Sequence, residues 1–239
     1  MELTVKRGDI TELSTDAVIV NLFEGVKKPG GVTGIVDRVL DGAISILIKD
    51  GEITGKKNEV VIIHTLGRIK PKRIVVAGLG QKKTFDTNTI REVMGVSCRA
   101  LRSRGVKSVA TILHGAGVGE IDARDSGQAI VEGSILGLYQ FLKSGKDTGV
   151  TGDISELQIV EIDSGKIREV DAGISIGKIL AEATILARDM ANAPSNHMTP
   201  SDMVAVASRI AIETGLEIEI IEQEHMEKLG MGALLGVAK

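Results

Sequence analysis

The sequence predicts an α/β fold: an open, mixed sheet with helices on both faces. Two observations carry this. Apolar runs of four to six residues alternate along the chain with stretches of helical periodicity. Most of those runs are apolar throughout rather than every second residue, the pattern of strands buried on both faces.

In order, Leu3–Lys6 reads as a short strand and Ala17–Leu22 as a fully buried one. Gly30–Gly34, with three glycines, reads as a flexible loop. Apolar residues from Ile35 to Lys49 then fit a helix, with Asp41-Gly42 as a possible break. Val60–His64 and Ile74–Ala77 are further buried strands, separated by a turn at Pro71. A helix capped by Asn88 or Thr89 runs through Arg104 and stops at Gly105. Val109–Leu113 is a strand, Asp125–Leu142 a long amphipathic helix and Leu157–Ile162 a late strand. A helix from about Asp171 to Asn192 is stopped by Pro194. Ser201 caps a helix to about Thr214, ended by Gly215, and Glu217–Ile221 reads as a strand.

Composition narrows the function classes. Aromatic residues make up 2% of the chain and Trp is absent, so there is no platform on which to stack single-stranded bases. The single cysteine, Cys98, excludes an internal disulfide and fits a buried small hydrophobe in a reducing compartment. No apolar run approaches the ~18 residues of a membrane span, which suits a cytoplasmic protein without membrane contact. The net charge of −3 is uneven. Between Lys49 and Lys107 basic residues outnumber acidic ones 14 to 5, while from Ser108 to Lys239 acidic residues outnumber basic ones 20 to 10. A basic middle is either a nucleic-acid footprint or, more simply, a solvated face or a surface that meets a neighbouring subunit.

Local motifs supply no chemistry. Gly78-Leu79-Gly80 and the Gly115–Gly119 run follow strands, but neither has the dinucleotide spacing, and neither opens directly into a helix. Tight turns explain both. His64, His114, His197 and His225 are scattered, and Glu222, Glu224, His225 and Glu227 crowd one short segment where successive positions point apart. Cys98 has no activating partner in sequence, and no nucleophile elbow is present.

Two longer stretches are more specific. Ala187-Arg188-Asp189-Met190-Ala191-Asn192-Ala193-Pro194-Ser195-Asn196-His197-Met198-Thr199-Pro200 resembles the segment that joins the two domains of the leucyl (cytosol) aminopeptidase family. Leu229-Gly230-Met231-Gly232-Ala233-Leu234-Leu235-Gly236-Val237-Ala238-Lys239 resembles a stretch early in that family's catalytic domain. Gly42–Ser45, Gly51–Lys56 and Val131–Tyr139 also fit, so the resemblance covers nearly the whole chain.

The resemblance implies a macro-like N-terminal domain over residues 1–166, a linker helix over 167–197 and, over 198–239, the truncated start of a metallopeptidase catalytic domain. That last stretch is too short to bury a core of its own. It implies a parent enzyme that removes N-terminal residues from peptides, uses two divalent metal ions (Mn or Zn) and assembles as a hexamer. The family draws its metal ligands from segments containing F-D-S-G-G and N-T-D-A-E-G-R, and neither occurs here. Lys239 belongs to an earlier segment than the ligand lysine. No catalytic, cofactor-binding or metal-ligating residue is therefore assigned, and the chain alone is expected to be inactive. The alternative is a binding module without peptidase activity, since macro-like folds hold ADP-ribose-type ligands and some leucyl aminopeptidases bind DNA.

Overall fold

The computed structural model describes residues 1–115, 121–141 and 153–237. They divide into two compact units, Met1–Leu186 and Ala187–Lys239.

The first unit is built on one six-stranded sheet. Its strands are β1 (Glu2–Arg7), β2 (Ala17–Leu22), β3 (Val60–His64), β4 (Arg73–Gly78), β5 (Ser108–Ile112) and β6 (Glu156–Glu161). Their order across the sheet is β1-β6-β5-β2-β4-β3. All neighbouring pairs are parallel except β3 with β4. The helices are α1 (Gly31–Val39), α2 (Ala43–Lys49), α3 (Thr87–Arg102), α4 (Ala123–Leu138) and α5 (Ile167–Asn192), the last crossing the division between the units.

Strand alternation sorts the apolar residues into two cores. Ile19, Val75, Ala77, Val109, Leu157 and Ile159 face α3, α4 and the start of α5, where Met94, Cys98, Leu101, Ile130, Val170 and Ile174 meet them. Val18, Val20, Ile74, Val76, Ala110 and Val160 face the other way, onto Val36 and Leu40 of α1 and Ile44 and Ile48 of α2. The central strands therefore have no polar face, as their unbroken apolar sequences require. β3 differs from its expected full burial. It is the antiparallel edge strand, is only half-buried, and has His64 exposed.

Several boundaries also differ from expectation. Gly30–Gly34 is not a loop: Gly30 caps α1, and Gly34 N–H donates to Gly30 O at 2.9 Å. A Cβ on Gly34 would lie 2.7 Å from the Pro29 carbonyl oxygen, so the glycine lets this turn close tightly. The cap of α3 is Asp86, whose carboxylate accepts from Thr89 N at 2.7 Å and Thr89 Oγ1 at 2.9 Å. An ionised carboxylate outcompetes Asn88 or Thr89 for these amides. α4 starts earlier than expected, capped by Asp122, and ends at Leu138 rather than at Leu142, which lies outside the described residues: Tyr139 leaves the helical conformation and residues 139–141 are not helical. The break at Asp41-Gly42 is present, with Gly42 in the left-handed region and Ser45 N donating to buried Asp37 across it.

Helices α3 and α4 cross at glycines. A Cβ on Gly137 would overlap Gly95 Cα, and one on Gly133 would overlap the Arg91 carbonyl. On α5, a Cβ on Gly173 would overlap the Arg124 carbonyl of α4. Buried Glu132 of α4 pairs with Arg91 of α3 beside this crossing.

In the second unit, α6 (Pro200–Thr214), α7 (Gln223–Lys228) and α8 (Gly232–Val237) follow α5. Thr199, not Ser201, caps α6. Thr199 N donates to Asp202 Oδ2 at 2.9 Å while Asp202 N donates to Thr199 Oγ1 at 3.3 Å, a reciprocal box with Pro200 in the first turn. Gly215 ends the helix in the left-handed region. Glu217–Ile221 forms no strand among the described residues, because no neighbouring strand supplies hydrogen bonds to it.

Replacing Gly137 with Ala is expected to lower unfolding stability by about 1–3 kcal/mol through overpacking. Gly236→Ala, at a position with nothing within 4 Å of the added carbon, is the control and causes no loss. Urea melts giving the two variants equal stability contradict the close α3–α4 approach.

Candidate functional site: a cleft at the carboxyl edge of the sheet

The parallel strands all end at one edge of the sheet. From β2 the chain passes to β3 and β4 on one side, and from β4 it crosses to β5 on the other. The carboxyl ends of β2 and β5 thus stand where the chain direction diverges, the usual position of a ligand crevice in open α/β sheets. A cleft of about 520 Å³ opens there. Its floor comes from Asn21, Leu22 and Phe23 after β2, Ile112 and Leu113 at the end of β5, and Val160 and Glu161 of β6. Gly30 to Thr33 bring the amino end of α1 to its wall, held by Thr33 Oγ1 donating to Asn21 O at 2.8 Å. A smaller apolar pocket of about 280 Å³ adjoins it, sharing Val32, Ile112, Val160 and Ile162 and adding Ile10 and Ile35.

Charge in the cleft is mainly positive. Lys28, Lys82 and Lys166 line it, and none is in an ion pair among the described residues. Lys82 Nζ lies 5.6 Å from the centroid of the Phe23 ring, which packs edge-on against Phe85 at 5.2 Å. Glu161 turns its carboxylate onto the amides of Ile162 and Asp163, at 2.8 and 2.9 Å. Beneath the floor, His114 is wholly buried between cleft residues Leu113 and Gly115. Burial holds its pKa down at about 4, so it is neutral at physiological pH.

The residues weighed from the sequence fall mostly elsewhere. Gly78-Leu79-Gly80 packs against Gly55–Lys57, with Leu79 buried, and does not line the cleft. Gly115 does line it, while Ala116–Gly119 lie outside the described residues, as does Lys239. His64, His197 and His225 are exposed, whereas His114 is buried. Glu222, Glu224 and Glu227 are likewise exposed on and before α7. Among the described residues no three His, Cys, Asp or Glu side chains converge as metal ligands, so those present do not fit a two-metal centre. Cys98 is buried in α3, and burial pushes its thiol up to about 11, which removes it as a nucleophile.

Of the fourteen basic residues in the middle segment, Lys57, Arg68, Lys70, Lys72, Arg91 and Arg102 each pair with a carboxylate. No helix among the described residues is long and apolar enough to cross a membrane. The cleft was missed in sequence because its residues come from four separated segments. The available signals were Asn21, a polar residue in an otherwise apolar strand, and the glycine pair that opens α1.

Comparison with known proteins adds to this geometry. The N-terminal domain model of the cytosol aminopeptidase family matches residues 19–146, and the model of that family's catalytic domain matches residues 185–239. A probable cytosol aminopeptidase of Alkaliphilus metalliredigens is 37% identical over 99% of this chain and 48% of its own length. The chain thus spans about half the length of the curated relatives it matches. A tomato leucine aminopeptidase variant superposes over 96% of this chain and 46% of its own, with a TM-score of 0.79 at 20% identity. A Trypanosoma brucei macrodomain in complex with ADP superposes over 72% of this chain and 69% of its own, with a TM-score of 0.56 at 13% identity. The fold is therefore macro-like.

Because His114 is neutral in the fold and titrates near 6.5 when unfolded, the unfolded chain binds the extra proton between those values. Its contribution to stability is complete above pH 6.5 and lost as pH falls towards about 4. Urea titrations at pH 7 and pH 4 are expected to show a loss of about 3 kcal/mol in the native protein beyond that in His114→Gln. Equal losses in both proteins contradict the buried neutral ring.

Proposed function

This chain belongs to the cytosol aminopeptidase family, and we propose that it is the N-terminal, non-catalytic portion of a metal-dependent leucyl aminopeptidase together with the opening of its peptidase domain. The observation that carries this reading is the order of the two family matches, N-terminal model first and catalytic model second, along a chain half as long as its relatives. On this reading residues 1–166 form the macro-like domain, 167–197 the linker and 198–239 the start of the hydrolase. The parent removes N-terminal residues from peptides in the cytoplasm, assembles as a hexamer and uses two divalent ions, Mn or Zn. The ligands for those ions belong to the portion of the catalytic domain that the relatives carry beyond the matched half. Hydrolysis requires that portion, and this chain alone lacks activity. The N-terminal unit then serves to shape access to the peptidase site or to contact neighbouring subunits.

We infer a second role for the cleft, which one feature favours: Lys28, Lys82 and Lys166 stand in one cavity beside the amino end of α1. Positive side chains around a concave, partly apolar site suit an anionic small molecule such as ADP, the ligand named for the macrodomain neighbour. DNA binding rests only on the composition of the basic middle segment, six of whose fourteen basic residues are already in ion pairs.

The pure 239-residue chain is expected to show no hydrolysis of a leucyl amide in the presence of Mn or Zn. Metal-dependent turnover that rises in proportion to chain concentration overturns the assignment of the chemistry to the portion that the relatives carry beyond the matched half.

A further inference from the structure

Asn21 stands at the carboxyl end of β2 and lines the cleft. Its Nδ2 lies 2.9 Å from Nδ1 of buried His114. The other ring nitrogen, Nε2, lies 3.1 Å from Thr111 Oγ1 and 3.1 Å from Met94 Sδ. Thr111 Oγ1 in turn has the carbonyl oxygens of Ile19 and Ile112 each at 3.3 Å. Either carbonyl can take its hydroxyl proton, which leaves an oxygen lone pair for the ring. A thioether sulfur also only accepts. With Met94 Sδ unable to donate, these contacts favour the tautomer with the ring proton on Nε2 and Nδ1 bare. A bare buried nitrogen needs a donor, and the amide NH2 of Asn21 supplies it. The orientation of the amide follows: Oδ1 is the atom turned away from the histidine, and it takes part in no hydrogen bond among the described residues.

Resting on the reading of the cleft as an anion-ligand site, we propose that His114 is a buried positioning residue that fixes Asn21 as a hydrogen-bond acceptor on the cleft floor, so that the cleft selects a phosphorylated sugar over a bare phosphate. The lysines meet the phosphate, Asn21 Oδ1 accepts from a sugar hydroxyl, and the adjoining apolar pocket takes a base. A nucleoside diphosphate has all three parts. Because His114 stays neutral through the physiological range, the orientation of Asn21 does not change there.

Two measurements on the full chain test this. The first needs no ligand: nitrogen-15 NMR of the histidine rings at pH 7 is expected to show His114 protonated on Nε2, and protonation on Nδ1 overturns the proposal. The second is calorimetric titration with ADP and, separately, inorganic pyrophosphate, which lacks the sugar hydroxyls. Asn21→Ala and His114→Phe are each expected to weaken ADP about tenfold, one hydrogen bond to a desolvated group, and to leave pyrophosphate within about twofold. Loss of both ligands alike, or of neither, overturns the positioning role while the cleft reading stands. A native chain that binds neither probe overturns both. Should His114→Phe fail to fold, Asn21→Ala and the ring protonation of the native protein decide the outcome.

Discussion

Strands that are apolar on both faces have to be covered twice, and most of this fold follows from that requirement. β2, β4, β5 and β6 leave no side to water, so α1 and α2 close one face while α3, α4 and the start of α5 close the other. Covering helices on both sides force the connections to cross over, which makes neighbours parallel and brings their carboxyl ends to one edge. The only antiparallel strand among the described residues, β3, sits at the rim, where one half-exposed side is tolerated. The cleft between β2 and β5 is thus a by-product of burial. What makes it chemically distinct is the lysines and the asparagine that the strand ends and loops place there.

The second face shows how tightly the cover must fit. With few aromatic side chains to fill space, α3, α4 and α5 gain contact by bringing backbones together at Gly95, Gly137 and Gly173. Close backbone approach substitutes for large side chains and gains dispersion energy over many small contacts. The same crossing brings Arg91 to the carboxylate of Glu132, a buried pair that fixes the register of α3 on α4.

Much of this was legible in the sequence. Continuous runs such as Ala17–Leu22 read directly as two-sided strands, and Asp41-Gly42 and Gly215 read as a break and a stop, because each rests on a local backbone preference, whereas α3 ends at Arg102, before the expected stop at Gly105. Glu217–Ile221 has the alternation of a strand, yet pairing needs a second chain segment that the pattern itself does not contain. Asp86 and Thr199 took the caps in place of their neighbours because capping depends on which side chain reaches the free amides. The site was least legible. Asn21, Lys28, Lys82, His114 and Lys166 share no spacing, and only the folded sheet brings them to one edge. In the sequence His114 is one of four scattered histidines without a role; Met94 and Thr111, close by only in the fold, hold its ring in place.

The segment after α6 bears on how the protein behaves at high concentration. Leu216, Ile218 and Ile220 are 64%, 43% and 46% exposed, and Glu217 and Glu219 alternate with them. An alternating run without a partner is a template for pairing between molecules, and interleaved carboxylates act as gatekeepers by mutual repulsion. At high concentration these two glutamates therefore stand between the segment and strand pairing from one molecule to the next.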